Sequence, residues 1–429
     1  MKTSLSARHA ERRYELDVQR NLTRNFLVHL CHGMFGQTGF RLLQAPTFLP
    51  AYVLLLSNGS DFAVGAALAV QSIGMTLTPL IGANLIEHRK RVLPIGMWSG
   101  IAMRLAVLGI ALAGFLLPPK WALLAVYFGL LCFGLFQGMQ GVIFNFLMSK
   151  VIPVSKRGRL TGLRNFLAGI TAAVVAYAAG IWFLGATPTI AGYSQTFLLA
   201  FVLTSIGLAS LLLLREPQPP TVKSQQTLRG RLAEVPELLR LDPAFRRYVI
   251  ARSLATLGRM SLPFYVVYAG TNMALTGPRL AALTIGFSLA ATLSNLVWGA
   301  LGDRRGFRAV LLISILLWIL ATALLPLGHE QFWLSVVVFV GVGAATQGFA
   351  ASAQNLTLEF GRREDLPVRI AIANSASELS GAIGPLLGGL IAATLGYGAL
   401  FGTAMFFLLL GGALIALFVP EPRFAPEGG

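Results

Sequence analysis

The chain has 429 residues, of which 55% are hydrophobic and only 12% charged, with a formal net charge of +17 and two cysteines. A water-soluble domain normally carries about 25% charged residues, so this composition lacks the polar surface to face water on all sides. It excludes a soluble globular enzyme, and two cysteines give neither a disulfide framework nor metal-site spacing.

In chain order, the first twenty residues are charged and mixed (Arg8, Glu11, Arg12, Arg13, Glu15, Asp17, Arg20), which does not fit a cleavable signal peptide. The first apolar stretch is therefore expected to act as an uncleaved insertion signal. Twelve spans are predicted, at 24–56, 62–85, 93–116, 121–148, 162–184, 195–214, 246–273, 280–301, 307–327, 331–356, 368–395 and 397–419. Their apolar runs approach the roughly twenty residues a helix needs to cross about 30 Å of hydrocarbon. They are continuous rather than alternating, which favours helices over a β-barrel. The longest hydrophilic stretch, rich in Pro, Gln and charge, divides them six and six. The expected organisation is an N-terminal half (1–214), a cytoplasmic linker (215–245) and a C-terminal half (246–429).

The basic residues fix an orientation. Of the 34 Lys and Arg, 29 fall in the N-terminus, the tail and alternate loops, two (Lys120, Arg279) in the opposite loops, and three (Arg41, Arg104, Arg259) inside spans. Cytoplasmic loops carry the Lys and Arg excess, so both termini are expected in the cytoplasm of a multi-pass inner-membrane protein. Topology and attraction to anionic lipid account for the charge. Nucleic-acid binding needs an aqueous basic surface, and none is present.

The halves repeat. Gln137-Gly138 with Asn145 in span 4 matches Gln347-Gly348 with Asn355 in span 10, at an offset of 210, and Arg159 matches Arg369 at the same offset. Two repeated six-span halves suit alternating access, one half rocking against the other.

Between spans 8 and 9, Gly299-Ala-Leu-Gly-Asp303-Arg304-Arg305-Gly306-Phe307-Arg308 resembles the loop signature of the major facilitator superfamily, G-x-x-x-D-R-x-G-R-R/K. The first copy, after span 2, is degenerate: Gly82 is kept, Ile86 takes the acid's place, Glu87 is displaced by one, and Arg89 replaces a glycine. The resemblance implies an all-α membrane protein of twelve transmembrane helices in two pseudo-symmetric six-helix bundles. It makes Gly299, Asp303, Arg304, Gly306 and Arg308 a conformational-switch loop. It also implies that spans 1, 4, 7 and 10 line a central cavity, with 2, 5, 8 and 11 at the junction of the halves. Two departures weaken a drug/proton antiporter reading. Gly134 stands where those proteins carry an arginine, and Gly384-Pro385-Leu386-Leu387-Gly388-Gly389 lies in span 11 rather than span 5.

Ionisable groups at membrane depth are costly unless they face a partner or a wet cavity. At 1.5 Å per residue, Arg259 lies about 18 Å from Arg247 and Glu378 about 14 Å from Arg369. Arg41 and Arg259 belong to equivalent spans of the two halves and could clamp an anionic group, because a guanidinium binds carboxylate or phosphate in bidentate fashion. Each could instead pair with backbone carbonyls or with Glu378. Glu378 is the one acid well inside a span and could carry a proton, or form a permanent ion pair. Arg104 reads as a packing residue and Asp61 as a helix cap. His29 and His32 share a helix face and could relay protons or simply hydrogen-bond. Gln37, Gln137 and Gln347, with other amides at depth, and Tyr265 are substrate-binding candidates or interhelical bonds. Pro46, Pro50 and Pro263 should kink spans 1 and 7.

No phosphate-binding loop accompanies the spans and no catalytic constellation is present, so an ATP-driven pump and an enzyme are both disfavoured. The expectation is a secondary transporter, proton-coupled and monomeric, with no cofactor. Its partners are a small organic solute, leaning to an anion or zwitterion, the coupling ion and the bilayer. Multidrug efflux and a non-transporting receptor are the alternatives.

Overall fold

A computed structural model describes residues 5–76, 78–86, 88–219, 235–328, 331–360 and 366–421. Among these residues there is no strand, and each predicted span coincides with helix. Most of the linker (220–234) and Glu87 of the degenerate loop lie outside the described residues. Among the described residues, nine helices are long and apolar enough to cross a membrane, or ten when the bent pair Leu22–Gln44 and Phe48–Leu56 counts as one span.

Span 1 is that pair, bent by 41° at Ala45-Pro46-Thr47. Pro46 has no N–H to continue the helical ladder, so the break falls beside it. Span 7 is interrupted in the same way, as Pro243–Leu257, a 3₁₀ turn Gly258–Ser261 and Phe264–Asn272, with Pro263 at the break. Its breaks and its four arginines (246, 247, 252, 259) explain why it is not among the long apolar helices. Spans 11 and 12 form one run, Leu366–Phe418, turned at Gly396, whose φ of 82° favours a residue without a Cβ.

The remaining spans follow in chain order. Span 2 comprises Asp61–Thr76 and Thr78–Ile86, span 3 Leu93–Leu116, span 4 Pro119–Val151, and span 5 Val154–Ala179 with a further turn Gly180–Leu184. Span 6 is Ile190–Ser210, span 8 Gly277–Arg305, span 9 Phe307–Leu324 and span 10 Phe332–Glu359.

On the basic-loop face each half is tied by a glutamate. Glu216, after span 6, accepts from the Val92 and Leu93 N–H groups at 2.8 and 2.9 Å and pairs with Lys150 of span 4. Glu421, after span 12, accepts from the Arg308 N–H at 3.1 Å, while the Arg308 guanidinium donates to the Ile415 and Ala416 carbonyls. Both carboxylates thus sit at helix N-termini, where orphan N–H groups and the helix dipole favour an anion. Gly306, at φ 82°, turns the chain there, and a Cβ would strike Glu421. Gly299 faces open space, and Asp303 and Arg304 are exposed. The close approach in this loop is made by Gly302, where a Cβ would strike the Phe307 ring.

The halves meet along two seams. In the first, a Cβ at Gly65 of span 2 would strike the Pro385 carbonyl of span 11, and one at Gly389 would come within 2.8 Å of the Asp61 carbonyl. Tyr397 donates to Asp61 at 2.7 Å, while Ser60 supplies the helix cap expected of Asp61, accepting from the Ala63 N–H at 3.3 Å. In the second seam, the Gly277 N–H of span 8 donates to the Gly185 carbonyl at 2.6 Å, and a Cβ at Gly169 would collide with Thr292. Span 1 joins it through Thr47 and Thr284, whose hydroxyls lie 2.6 Å apart. Glycine lets backbones approach to near contact, so both seams are tight away from the basic face.

Candidate functional site

Beneath these contacts lies a cavity of about 800 Å³, lined by spans 1, 2, 4, 7, 10 and 11. Spans 1, 4, 7 and 10 take the expected places. Spans 2 and 11 join them, whereas 5 and 8 do not. The lining reaches Asn145, Arg252 and Leu358, close to the basic-loop ends of spans 4, 7 and 10.

Among the described residues, every charged residue of the lining belongs to the C-terminal half: Arg252 and Arg259 on span 7, and Glu378 on span 11. Arg252 is 8% exposed. It donates to the Thr357 hydroxyl at 3.3 Å and the Asn374 side-chain carbonyl at 3.2 Å, both neutral, and its Nε is unpaired. The Arg259 guanidinium lies 5.7 Å from the Trp318 ring centroid and 5.5 Å from that of Phe349, within cation–π range. Its Nε is also buried without a hydrogen-bond partner. Glu378 shares the field of Arg259 and Arg252 yet, among the described residues, closes no salt bridge within 4.0 Å. A Cβ at Gly381 would lie 3.9 Å from the Glu378 Oε2 and 3.7 Å from the Ser72 Oγ of span 2. The acid stands free in the cavity beside two cations. On the facing wall, Gln71 donates to Gln137 at 3.4 Å.

Of the residues singled out in the sequence, Arg259, Gln137 and Glu378 meet in this cavity. Arg41, Gln37, Gln347, Tyr265 and His32 are not among its lining. Arg41 points to the other seam, donating to Thr292 of span 8 at 2.9 Å, so it does not face Arg259 across the cavity. The Tyr265 hydroxyl is buried among Ser261 (2.8 Å), Thr322 (2.6 Å) and the Trp318 indole N–H (3.0 Å). His32 stacks on Phe144 at 4.8 Å, beneath the Arg164 guanidinium, which sits 4.5 Å from the same ring; His29 meets that ring edge-on. Arg104 packs the N-terminal half, donating to the Thr204 and Gly100 carbonyls at 2.6 and 2.8 Å.

Arg252 and Arg164 escape the sequence reading because the charge tally assigns both to loops. The signal for Arg252 is its spacing: seven residues before Arg259, two helical turns, places both on one helix face.

Two helical bundles closed by glycine seams over a cavity that holds one carboxylate and two arginines among its described lining define a membrane carrier. The Major Facilitator Superfamily model matches residues 26–276 and 248–429, and the chain belongs to that family of transporters, which are not enzymes. Among curated relatives it is similar to the multi-drug resistance efflux pump PmrA homolog of Lactococcus lactis, 24% identical over 398 residues, covering 91% of this chain and 93% of that one. It is also 26% identical over 395 residues to the multi-drug resistance efflux pump PmrA of Streptococcus pneumoniae, covering 88% and 92%. Among solved structures it shares its fold with a D-xylose-proton symporter (TM-score 0.72, 14% identity, covering 93% and 98%). A single-substitution variant of the nucleoside transporter NupG is comparable (TM-score 0.71, 14% identity, covering 91% and 98%).

Proposed function

We propose that the protein is a proton-coupled carrier of a small organic solute across the inner membrane, with the basic-loop face in the cytoplasm. Rocking of the halves about the two seams alternates access to the cavity. Arg259 attracts the solute's negative group, and Glu378 takes up and releases the coupling proton. The observation that carries this reading is Glu378 itself, an acid at membrane depth that faces a cavity and two cations without being locked into a salt bridge. A carboxylate already paired would serve only to hold helices. One left free can exchange a proton with whatever enters.

The test uses purified protein in liposomes. Organic anions, amino acids, phospho-compounds and lipophilic cations are screened by thermal shift, and hits are followed with an internal pH-sensitive dye. Uptake of anion hits is expected to move protons in the unaltered protein and not in Glu378→Gln. Lipophilic-cation hits, or proton movement unaffected by the substitution, would overturn the assignment. That outcome would favour the second reading, multidrug export, which the relatives in Lactococcus and Streptococcus support.

A further inference from the structure

We infer that the cavity is polarised to take an amphipathic organic monoanion, with Arg252 as the second arginine of its anion site. The inference rests on reading the cavity as the transport site. Arg252 and Arg259 are permanent cations, and Glu378 is the single acid among the described lining residues. With Glu378 ionised, one positive charge stays uncompensated. The hydrogen-bond partners of Arg252, Thr357 and Asn374, are neutral, and its buried Nε remains to be satisfied. A single carboxylate, sulfonate or phosphodiester meets that need, and a lipophilic cation does not.

The opposite wall asks for something else. Among the described residues, spans 1, 2 and 4 bring no charge to the cavity, and Leu49, Leu68, Met75 and Val142 form apolar patches there between the uncharged polar side chains of Gln44, Ser72 and Asn145. The amides Gln71 and Gln137 on that wall bond to each other. A cavity of about 800 Å³ accepts a drug-sized body. A solute lying across it therefore sets its negative end on span 7 and its apolar body on the N-terminal half. A small hydrophilic anion would leave that wall wet.

The protein is reconstituted in nanodiscs and titrated with acetate, benzoate and 1-naphthoate, with 1-naphthylmethylamine as the cationic match, by calorimetry. Affinity is expected to rise from acetate to benzoate to naphthoate, by about tenfold per added ring from apolar area buried. The amine should bind at least tenfold more weakly than naphthoate. Arg252→Gln should weaken naphthoate by about tenfold or more, as loss of a charge-assisted bond does, and Arg252→Lys by less. Leu68→Ser with Met75→Ser should narrow the naphthoate-to-acetate ratio. Amine binding equal to naphthoate, affinity independent of ring number, or full affinity in Arg252→Gln would each overturn the inference. If Arg252→Gln does not fold, the naphthoate-to-amine ratio in the unaltered protein decides. Counterflow of labelled ligand in liposomes separates the two readings. Arginine-dependent naphthoate binding without counterflow overturns the carrier reading and leaves the polarised site. Counterflow of the amine but not the carboxylate does the reverse.

Discussion

Gly134 stands where drug/proton antiporters of the family carry an arginine, and its surroundings give the departure a physical reason. A Cβ there would strike the carbonyl of Gln71, so spans 2 and 4 cross backbone to backbone at this point. Gly134→Arg should therefore lower stability by about 1–3 kcal/mol or more through overpacking. The check is the thermal unfolding midpoint of the purified protein in detergent; an unchanged midpoint would refute the close crossing. The same scale shows what single residues disclose in a sequence. Depth and scarcity mark Arg41, Arg259 and Glu378 equally, but a helix turns about 100° per residue, and only packing fixes which face looks inward. Gln44, three residues after Arg41, lines the cavity, whereas Arg41 reaches Thr292 in the opposite seam. Rotation of span 1 is a tertiary property, and the sequence carries no signal for it.

At the scale of elements, breaks were more legible than faces. Pro46 and Pro263 fall at the interruptions of spans 1 and 7, and the boundary expected between 395 and 397 is the turn at Gly396. Those positions declare themselves through backbone chemistry local to one residue. The glutamate ties were not legible, although Glu216-Pro217 and Glu421-Pro422 follow spans 6 and 12 alike. Each lies in a stretch read as loop, and its partner helix is remote in sequence. Lys150 and Glu216 retain only 5% and 4% side-chain exposure. Removing one member of a buried pair leaves the other uncompensated, so Glu216→Ala should cost about 3 kcal/mol. The double change Lys150→Ala with Glu216→Ala should cost less than the sum of the single changes. A double-mutant cycle on unfolding in denaturant measures this, and strict additivity would show that the pair is not coupled.

For the whole molecule, the charged wall and the uncharged wall lie on different halves, so any movement of one half against the other separates the groups proposed to hold a solute's two ends. The seams decide on which side that separation begins. Away from the basic face the halves are fastened by Tyr397 to Asp61, by Gly277 to Gly185 and by Thr47 to Thr284. Alternating access requires these contacts to part once per cycle. Thr47 and Thr284 offer the direct test, because their hydroxyls are 2.6 Å apart and two cysteines there would lie within bonding reach. With Cys31 and Cys132 first replaced by alanine, Thr47→Cys with Thr284→Cys should lose transport on oxidation and regain it on reduction. The oxidised protein should still bind its ligand from the basic-loop side, since the cavity lining extends toward that face. Transport that persists when crosslinking is complete would mean that the halves do not separate at this seam, and that access to the cavity alternates by local gating around a fixed frame.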